Sequence, residues 1–332
     1  MTEPVARMPG IDRADPAFGI GMSAVVVATA FGRPEVLSLM DVPTPEPGPN
    51  EVRLAVRAAG VNPIDHKTYS GLFGADPSAL PKRLGVEAAG VVTAVGAGVS
   101  TLRVGDEVIA YPAPGAYAAE LVVPVASVVP KPPAVSWAEA GGLMVTGVTA
   151  VHALEAIGLR AGEVVLLHGA SGGVGLVAVQ LATGRGATVI ATASPGKHDL
   201  LRELGAVPVA YGPGLADRVR AAAPSGVDAA ADLVGTDEAV DVSLELVADR
   251  RRIVTIAAFG RAADAGIQLI GGGPGADPGT EIRAAARSKL TQAVAAGELR
   301  VIVANRYPLT QVADAHRQSI TGHTTGKIVL IP

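Results

Sequence analysis

The chain has 332 residues, 49% of them hydrophobic, and a formal net charge of -4; this is enough for two domains of ordinary size with a cleft between them. It contains no cysteine, which excludes disulfides, thiolate-bound metal and a cysteine nucleophile, and is compatible with a reducing cytoplasm. No lysine- or arginine-rich run marks a nucleic-acid surface, so no such partner is expected.

Residues 1–21 mix charges with proline and glycine and lack the basic start and apolar run of a signal peptide, so a flexible extension is expected there. Met22 opens the first apolar run and is a candidate start codon. From Met22 to about Lys131, the runs EVRLAVRAAGV, AAGVVTAVG, DEVIAY and AELVVPV are short, rich in valine and alanine, and separated by proline and glycine. They predict an antiparallel, partly barrel-like β domain. From Trp137 helical and strand patterns alternate: WAEAGGLMVTGVTAVHALEAI, EVVLLHG, GLVAVQLATGRG, ATVIATA, KHDLLRELGA, VPVAYG. Alternation predicts right-handed βαβ units on a parallel sheet. Residues 140–159 are the most apolar stretch, but His152, Glu155 and several glycines make a membrane span a poor reading. VDAAADLVG and RRIVTIAAFG add strands, RSKLTQAVAAGEL a helix, and VIVANRYPL and KIVLIP two last strands around the short helix DAHRQSI. The glycine run at 271–279 reads as a mobile loop, and no internal repeat is visible.

The decisive stretch is VVLLHGASGGVGLVAVQLAT, residues 164–183. A buried strand over Val164–Leu167 and a helix over Val174–Thr183 enclose GASGGVG. A turn without bulk lets backbone N–H groups approach a pyrophosphate at the positive end of the helix. Ala170, Gly172 and Gly175 hold the three positions of a GxGxxG-type turn, with alanine for the first glycine, and Ser171, Gly173 and Val174 complete the cradle. The alternative is a turn that serves helix packing alone.

The following strand ends in Ser194, Pro195, Gly196 and Lys197, with no acid at its tip. An acid there would hold a ribose 2'-hydroxyl and repel a 2'-phosphate; a hydroxyl and an ammonium favour NADPH. Lys197 as a solvated helix-start lysine, and Tyr211 as cover for the sheet edge rather than a wall of the same pocket, are the alternatives.

Taken together, VNPIDHKTYSG (61–71), LGVEAAGVVTAVGAGVSTLRVGDEV (84–108), GAYAAELVVP (115–124), TGVTAVHAL (146–154), HGASGGVG (168–175) and GHTTGKIVL (322–330) make the chain similar to the zinc-independent, ζ-crystallin-like quinone oxidoreductases of the medium-chain dehydrogenase/reductase superfamily. The resemblance implies an α/β fold in which a doubly wound Rossmann parallel sheet is inserted in a GroES-like β-rich catalytic domain. Its expected bounds are 22–134 for the catalytic domain, 135–299 for the cofactor domain and 300–332 for the return to the catalytic domain. It also implies a homodimer through an edge strand of the Rossmann sheet around RRIVTIAAFG. Zinc-dependent relatives place a cysteine where Asp65 stands and a histidine where Val86 precedes Glu87, so no metal is expected.

Three residues are nominated as catalytic: Asn62 and Asp65 by the resemblance, and Tyr69 although many relatives have arginine or another residue there. Asn62 is a donor to cofactor or carbonyl oxygen, against an Asx-turn before Pro63. Asp65 holds the former metal-ligand position, with a structural hydrogen bond as the alternative. Tyr69 is a proton donor or a packing residue. Glu87 resembles a carboxylate behind the zinc site. Thr146 is expected to face the nicotinamide, against a helix cap, and Lys327 to lie near the cofactor. Without a metal to form an alkoxide, the expected reaction is hydride transfer to an already electrophilic small molecule, a quinone or α,β-unsaturated carbonyl. The other readings are a pathway-specific enoyl or ene-reductase and an NADPH-binding protein without turnover.

Overall fold

A computed structural model of the chain describes residues 21–332; of the extension expected over residues 1–21, all but Gly21 lies outside them. The first part comprises β1 (Met22–Ala28), β2 (Leu37–Pro43), β3 (Glu51–Val61), α1 (Pro63–Tyr69), β4 (Lys82–Arg83), β5 (Ala88–Val95), β6 (Glu107–Ala110), β7 (Glu120–Pro124) and β8 (Val128–Pro130). There follow α2 (Trp137–Ala156), β9 (Val164–His168), α3 (Gly173–Gly184), β10 (Thr188–Thr192), α4 (His198–Glu203), β11 (Val207–Val209), α5 (Leu215–Ala222), β12 (Ala229–Asp232), α6 (Asp237–Leu246), β13 (Ile253–Thr255), α7 (Ala262–Ala265), β14 (Gln268–Leu269) and α8 (Thr280–Ala295). The chain ends with β15 (Val303–Pro308), α9 (Val312–Ile320) and β16 (Lys327–Ile331).

The middle strands form a six-stranded parallel sheet in the order β11-β10-β9-β12-β13-β14. Its strands are buried on both faces: Val165 and Leu167 join the core beneath α2, α3 and α8, while Val164 and Leu166 join the core beneath α5 and α6. Alternation of apolar side chains to two covered faces is what a doubly wound sheet requires. One expectation is corrected here. β13 is not an edge, because β14 pairs outside it through Val254 and Gln268.

The GroES-like part has a three-stranded sheet, β2-β1-β4, and a seven-stranded sheet, β15-β16-β3-β5-β6-β8 with β7 also on β3. The last strand of the chain therefore returns to the first domain's sheet. Pairing of Ile328 with Val61 and of Ala88 with Ala59 sets Lys327, Asn62 and Glu87 side by side at one end of that sheet.

α2 starts at a capping box in which Ser136 Oγ accepts from the Glu139 amide and the Glu139 carboxylate accepts from the Ser136 amide. It is buried around most of its circumference, and glycines let it approach its neighbours: a Cβ at Gly141 would lie 2.6 Å from that of Ala58 on β3. The run at 271–279, expected to be mobile, is tied down: Gly271 and Gly279 donate to the Asp277 carbonyl and carboxylate, and that carboxylate lies 3.4 Å from His152 Nε2.

Candidate active site

β9 leads into the glycine turn, and the cap position of α3 is Gly172, which has no side chain to take up the first-turn amides. The helix's positive end is thus open toward the turn. The fit is close: a Cβ at Gly175 would lie 2.5 Å from the Gly169 carbonyl oxygen, and one at Gly173 would lie 2.9 Å from Thr146 Cγ2 and 3.1 Å from Lys327 Cδ. Ala170 is fully buried, while Ser171, Gly172, Gly173 and Val174 are partly accessible. Gly326 N–H donates to the Ser171 carbonyl, joining the turn to the start of β16. This shape admits a pyrophosphate against backbone amides and leaves little room for any side chain.

Ser194 and Lys197 follow the carboxyl end of β10, and Tyr211 that of the adjacent β11. Thr192 pairs with Val209, so Ser194 and Tyr211 stand level, two residues beyond each. Lys197 closes a 3-10 turn from Pro195; it is partly accessible, as is Ser194, and Tyr211 is exposed. Beyond the carboxyl ends of a parallel sheet is where such folds hold their ligands.

The catalytic nominees occupy a different neighbourhood and are all engaged. Asn62 caps α1; its Nδ2 donates to the Gly60 carbonyl (3.1 Å) and Glu87 Oε1 (2.9 Å), and its Oδ1 accepts from Lys327 Nζ (2.5 Å). The Lys327 ammonium also donates to the Val61 carbonyl and to Glu87 Oε1. Glu87 Oε2 accepts from the Val145 amide of α2, so the carboxylate bridges the catalytic sheet and the cofactor domain's first helix. Asp65 Oδ2 accepts from the Asn62 amide (2.9 Å) and the Tyr117 hydroxyl (2.6 Å). Burial pushes its pKa up to about 7, against the opposing effect of those two donors. The Tyr69 hydroxyl points into the core, 3.0 Å from Nδ1 of His316, and burial raises its pKa further above the ordinary value. Its geometry is that of packing.

Thr146 lies in the middle of α2, not at a cap, and its hydroxyl donates to the Gly142 and Leu143 carbonyls; the cap alternative is overturned because the helix begins at Trp137, with Ser136 as its cap. Its methyl, not its hydroxyl, meets the glycine turn. The sequence reading passed over Lys67, on the face of α1 away from Asp65 and Tyr69. Its Nζ lies 4.9 Å from the centre of the Phe259 ring, in the segment beyond β13, and Phe73 meets that ring edge-on. The available signal was a lysine five residues after Asn62.

A parallel dinucleotide-type sheet set against a GroES-like sheet, with a glycine turn between them, defines a nicotinamide-dependent oxidoreductase. Residues 48–133 match the family model described as "Alcohol dehydrogenase GroES-like domain", and residues 204–330 that described as "Zinc-binding dehydrogenase". The quinone oxidoreductase of Pseudomonas aeruginosa is 35% identical over 332 residues, covering 94% of this chain and 100% of that one. NorB of the spectinabilin polyketide synthase system of Streptomyces orinoci is 43% identical over 212 residues, 62% of this chain and 9% of that one. Among solved structures, Escherichia coli quinone oxidoreductase complexed with NADPH matches at a TM-score of 0.82 and 29% identity, over 93% of this chain and 100% of that one. The chain belongs to the quinone oxidoreductase family of the medium-chain dehydrogenase/reductase superfamily.

Proposed function

We propose that the protein is an NADPH-dependent, zinc-independent reductase of quinones and α,β-unsaturated carbonyls. The observation that supports this reading is the Ala170–Gly175 turn at the start of α3 together with the acid-free segment Ser194–Lys197 after β10, with Tyr211 after the adjacent β11. A hydroxyl and an ammonium suit a 2'-phosphate. When bound, the reduced nicotinamide supplies hydride. The chain's part is to hold it, through the turn's amides and the small residues around Gly173, and to keep the acceptor beside it in a cleft with little water.

The name of one matching family model implies zinc, and the residues do not suit it. The two positions that ligate in zinc-dependent relatives are Asp65, whose carboxylate is already capped by Tyr117 and the Asn62 amide, and Val86, which has no donor atom. The ammonium of Lys327 further occupies the Glu87 carboxylate next to them. A cation there would meet a cation.

The experiment is a pair of nicotinamide-fluorescence titrations, with NADPH and with NADH, followed by NADPH oxidation with a panel of quinones and enones. Tight NADPH binding, weak NADH binding and turnover of several acceptors are expected. NADPH binding without turnover of any acceptor would sink the reductase reading. A second reading, a reductase specialised for one biosynthetic enoyl intermediate, is favoured by the similarity to NorB and would show as turnover confined to one acceptor class. The same proposal includes a cytoplasmic homodimer joined at the β14 edge, which light scattering of the purified protein tests; no helix among the described residues is long and apolar enough to cross a membrane.

A further inference from the structure

If the protein reduces carbonyl-conjugated acceptors, something must receive the charge that develops on the acceptor's oxygen. The polar groups nominated for the acceptor or for the nicotinamide are committed elsewhere. Both hydrogens of Asn62 Nδ2 are used on Gly60 and Glu87, and the Lys327 ammonium has one acceptor for each of its three N–H bonds. The Thr146 hydroxyl is spent on α2's own carbonyls, and the Tyr69 hydroxyl faces His316 in the core.

Lys67 differs from all of these. On α1, Asp65 and Tyr69 are four residues apart and face the core together, which turns Lys67 the other way. Its ammonium crosses from the catalytic domain to the Phe259 ring, in the segment leaving the carboxyl end of β13. Strand order places β10 and β11, with Ser194, Lys197 and Tyr211, on one side of the glycine turn, and β12 and β13 on the other. A dinucleotide laid across the turn with its phosphate-bearing ribose on the first side has its redox end on the second. That is the side to which Lys67 reaches. Among the described residues its surroundings are aromatic: the Phe259 face holds the ammonium, Phe73 meets Phe259 edge-on, and a Cβ at Gly273 would run into the same ring.

We propose that Lys67 is a catalytic residue: its Nζ donates a hydrogen bond to the acceptor's carbonyl oxygen and passes it the proton that completes the reduction. The proposal rests on the reductase reading above. A hydride arriving at the conjugated carbon of an enone forms the new C–H bond and drives the π electron pair onto the carbonyl oxygen. That oxygen takes one proton from Lys67, leaving an enol that tautomerises to the saturated ketone. With a quinone, the same hydride and the same proton give the hydroquinone. Lys67 is left as a neutral amine and regains its proton from water. Burial alone lowers the pKa of Lys67, which moves its acidity toward the working pH. The titratable neighbour is His66, next to it on α1, whose own pKa is lowered by burial and then by the Lys67 charge; the facing loops present Phe259 and Phe73.

The test uses the full-length protein and two variants, Lys67→Met, which keeps the length and apolar stem, and Lys67→Arg, which keeps the cation but holds its proton at neutral pH. NADPH titration should give the same affinity in all three within about twofold. With a quinone or enone the wild type turns over, kcat of Lys67→Met should fall on the order of 100-fold or more, the scale of one acid–base group, and Lys67→Arg should remain well below wild type. The wild-type kcat should also fall at alkaline pH, a limb missing from the methionine variant. NMR of the protein reductively methylated with 13C-formaldehyde, assigned by the loss of one signal in Lys67→Arg, should show one lysine titrating below the others. Undiminished kcat in Lys67→Met, or a loss matched by loss of NADPH binding, overturns the proposal while leaving the reductase reading in place. No turnover by the wild type overturns both.

Discussion

The ammonium of Lys327, on the last strand of the chain, lies 3.1 Å from the carboxylate of Glu87, and neither side chain has more than a few per cent of its surface in contact with solvent. The pair clamps three segments at once, because Glu87 also receives the Val145 amide and Lys327 also holds Asn62 and Val61. Removing one partner would leave the other charge buried without compensation, which is far more costly than removing both. Lys327→Met is therefore expected to lower unfolding stability by about 3–5 kcal/mol, and Lys327→Met with Glu87→Leu to recover part of that loss. Denaturant unfolding of the two single variants and the double variant measures the coupling, and strict additivity would refute it.

The glycine turn yields a second prediction with an internal control. Gly173→Ala places a methyl against Thr146 and Lys327, so either the turn or α2 must move. NADPH affinity is expected to fall at least about tenfold, equivalent to about 1.4 kcal/mol. Gly184→Ala, at the other end of α3, meets nothing within 4 Å and should be neutral or stabilising by up to about 1 kcal/mol. Fluorescence titration and thermal unfolding of both variants separate the local effect from a general one; equal NADPH affinity in the two would contradict the cradle.

What the sequence made legible follows from the range of the interactions involved. β9 announces itself because four of its five residues are apolar, as burial on both faces demands, β10 because its threonines flank the apolar run Val189–Ala191, and α2 because Ser136 and Glu139 cap it from within four residues. The two-residue β14 carries no such signal, which is why β13 reads as an edge. The Asn62 neighbourhood was legible as a place and not as a chemistry. Its partners Glu87 and Lys327 lie 25 and 265 residues away, and only strand register reveals that they use up its hydrogen-bonding atoms. Tyr69 is similar: its partner His316 is 247 residues distant, so a buried hydroxyl could not be told from a cleft-facing one.

The same buried histidine sets a pH dependence. Burial, and then the charge of His66, lowers the His316 pKa from 6.5 to about 4. Between those values the unfolded chain takes up a proton that the folded chain refuses, so this contribution is fully present above pH 6.5 and is lost as pH falls toward 4. Burial gives His168 the same sense, with Asp232 opposing. Asp65 acts oppositely: its raised pKa means its contribution is complete below 3.8 and is lost as pH rises through about 7. His316→Asn, which keeps an acceptor for Tyr69, is expected to cost about 2 kcal/mol less at pH 5 than at pH 7.5. Denaturant unfolding at both pH values checks this, and an equal cost at each would rule it out.

In the proposed function, cofactor choice is expected to depend on the tip of β10. Lys197→Glu replaces a cation with the kind of residue that would repel a 2'-phosphate, while the glycine turn and the packing around Gly173 stay as they are. Loss of one charge-assisted contact is worth about 1.5–3 kcal/mol, so NADPH affinity should fall roughly 10- to 100-fold. NADH affinity should change by less than about threefold or improve, since an acid can accept from a ribose 2'-hydroxyl. The measurement is the paired fluorescence titration on wild type and variant. Parallel losses for both cofactors would mean that Lys197 supports the fold of the turn, and an unchanged NADPH affinity would mean that the phosphate, if bound, is held by other residues.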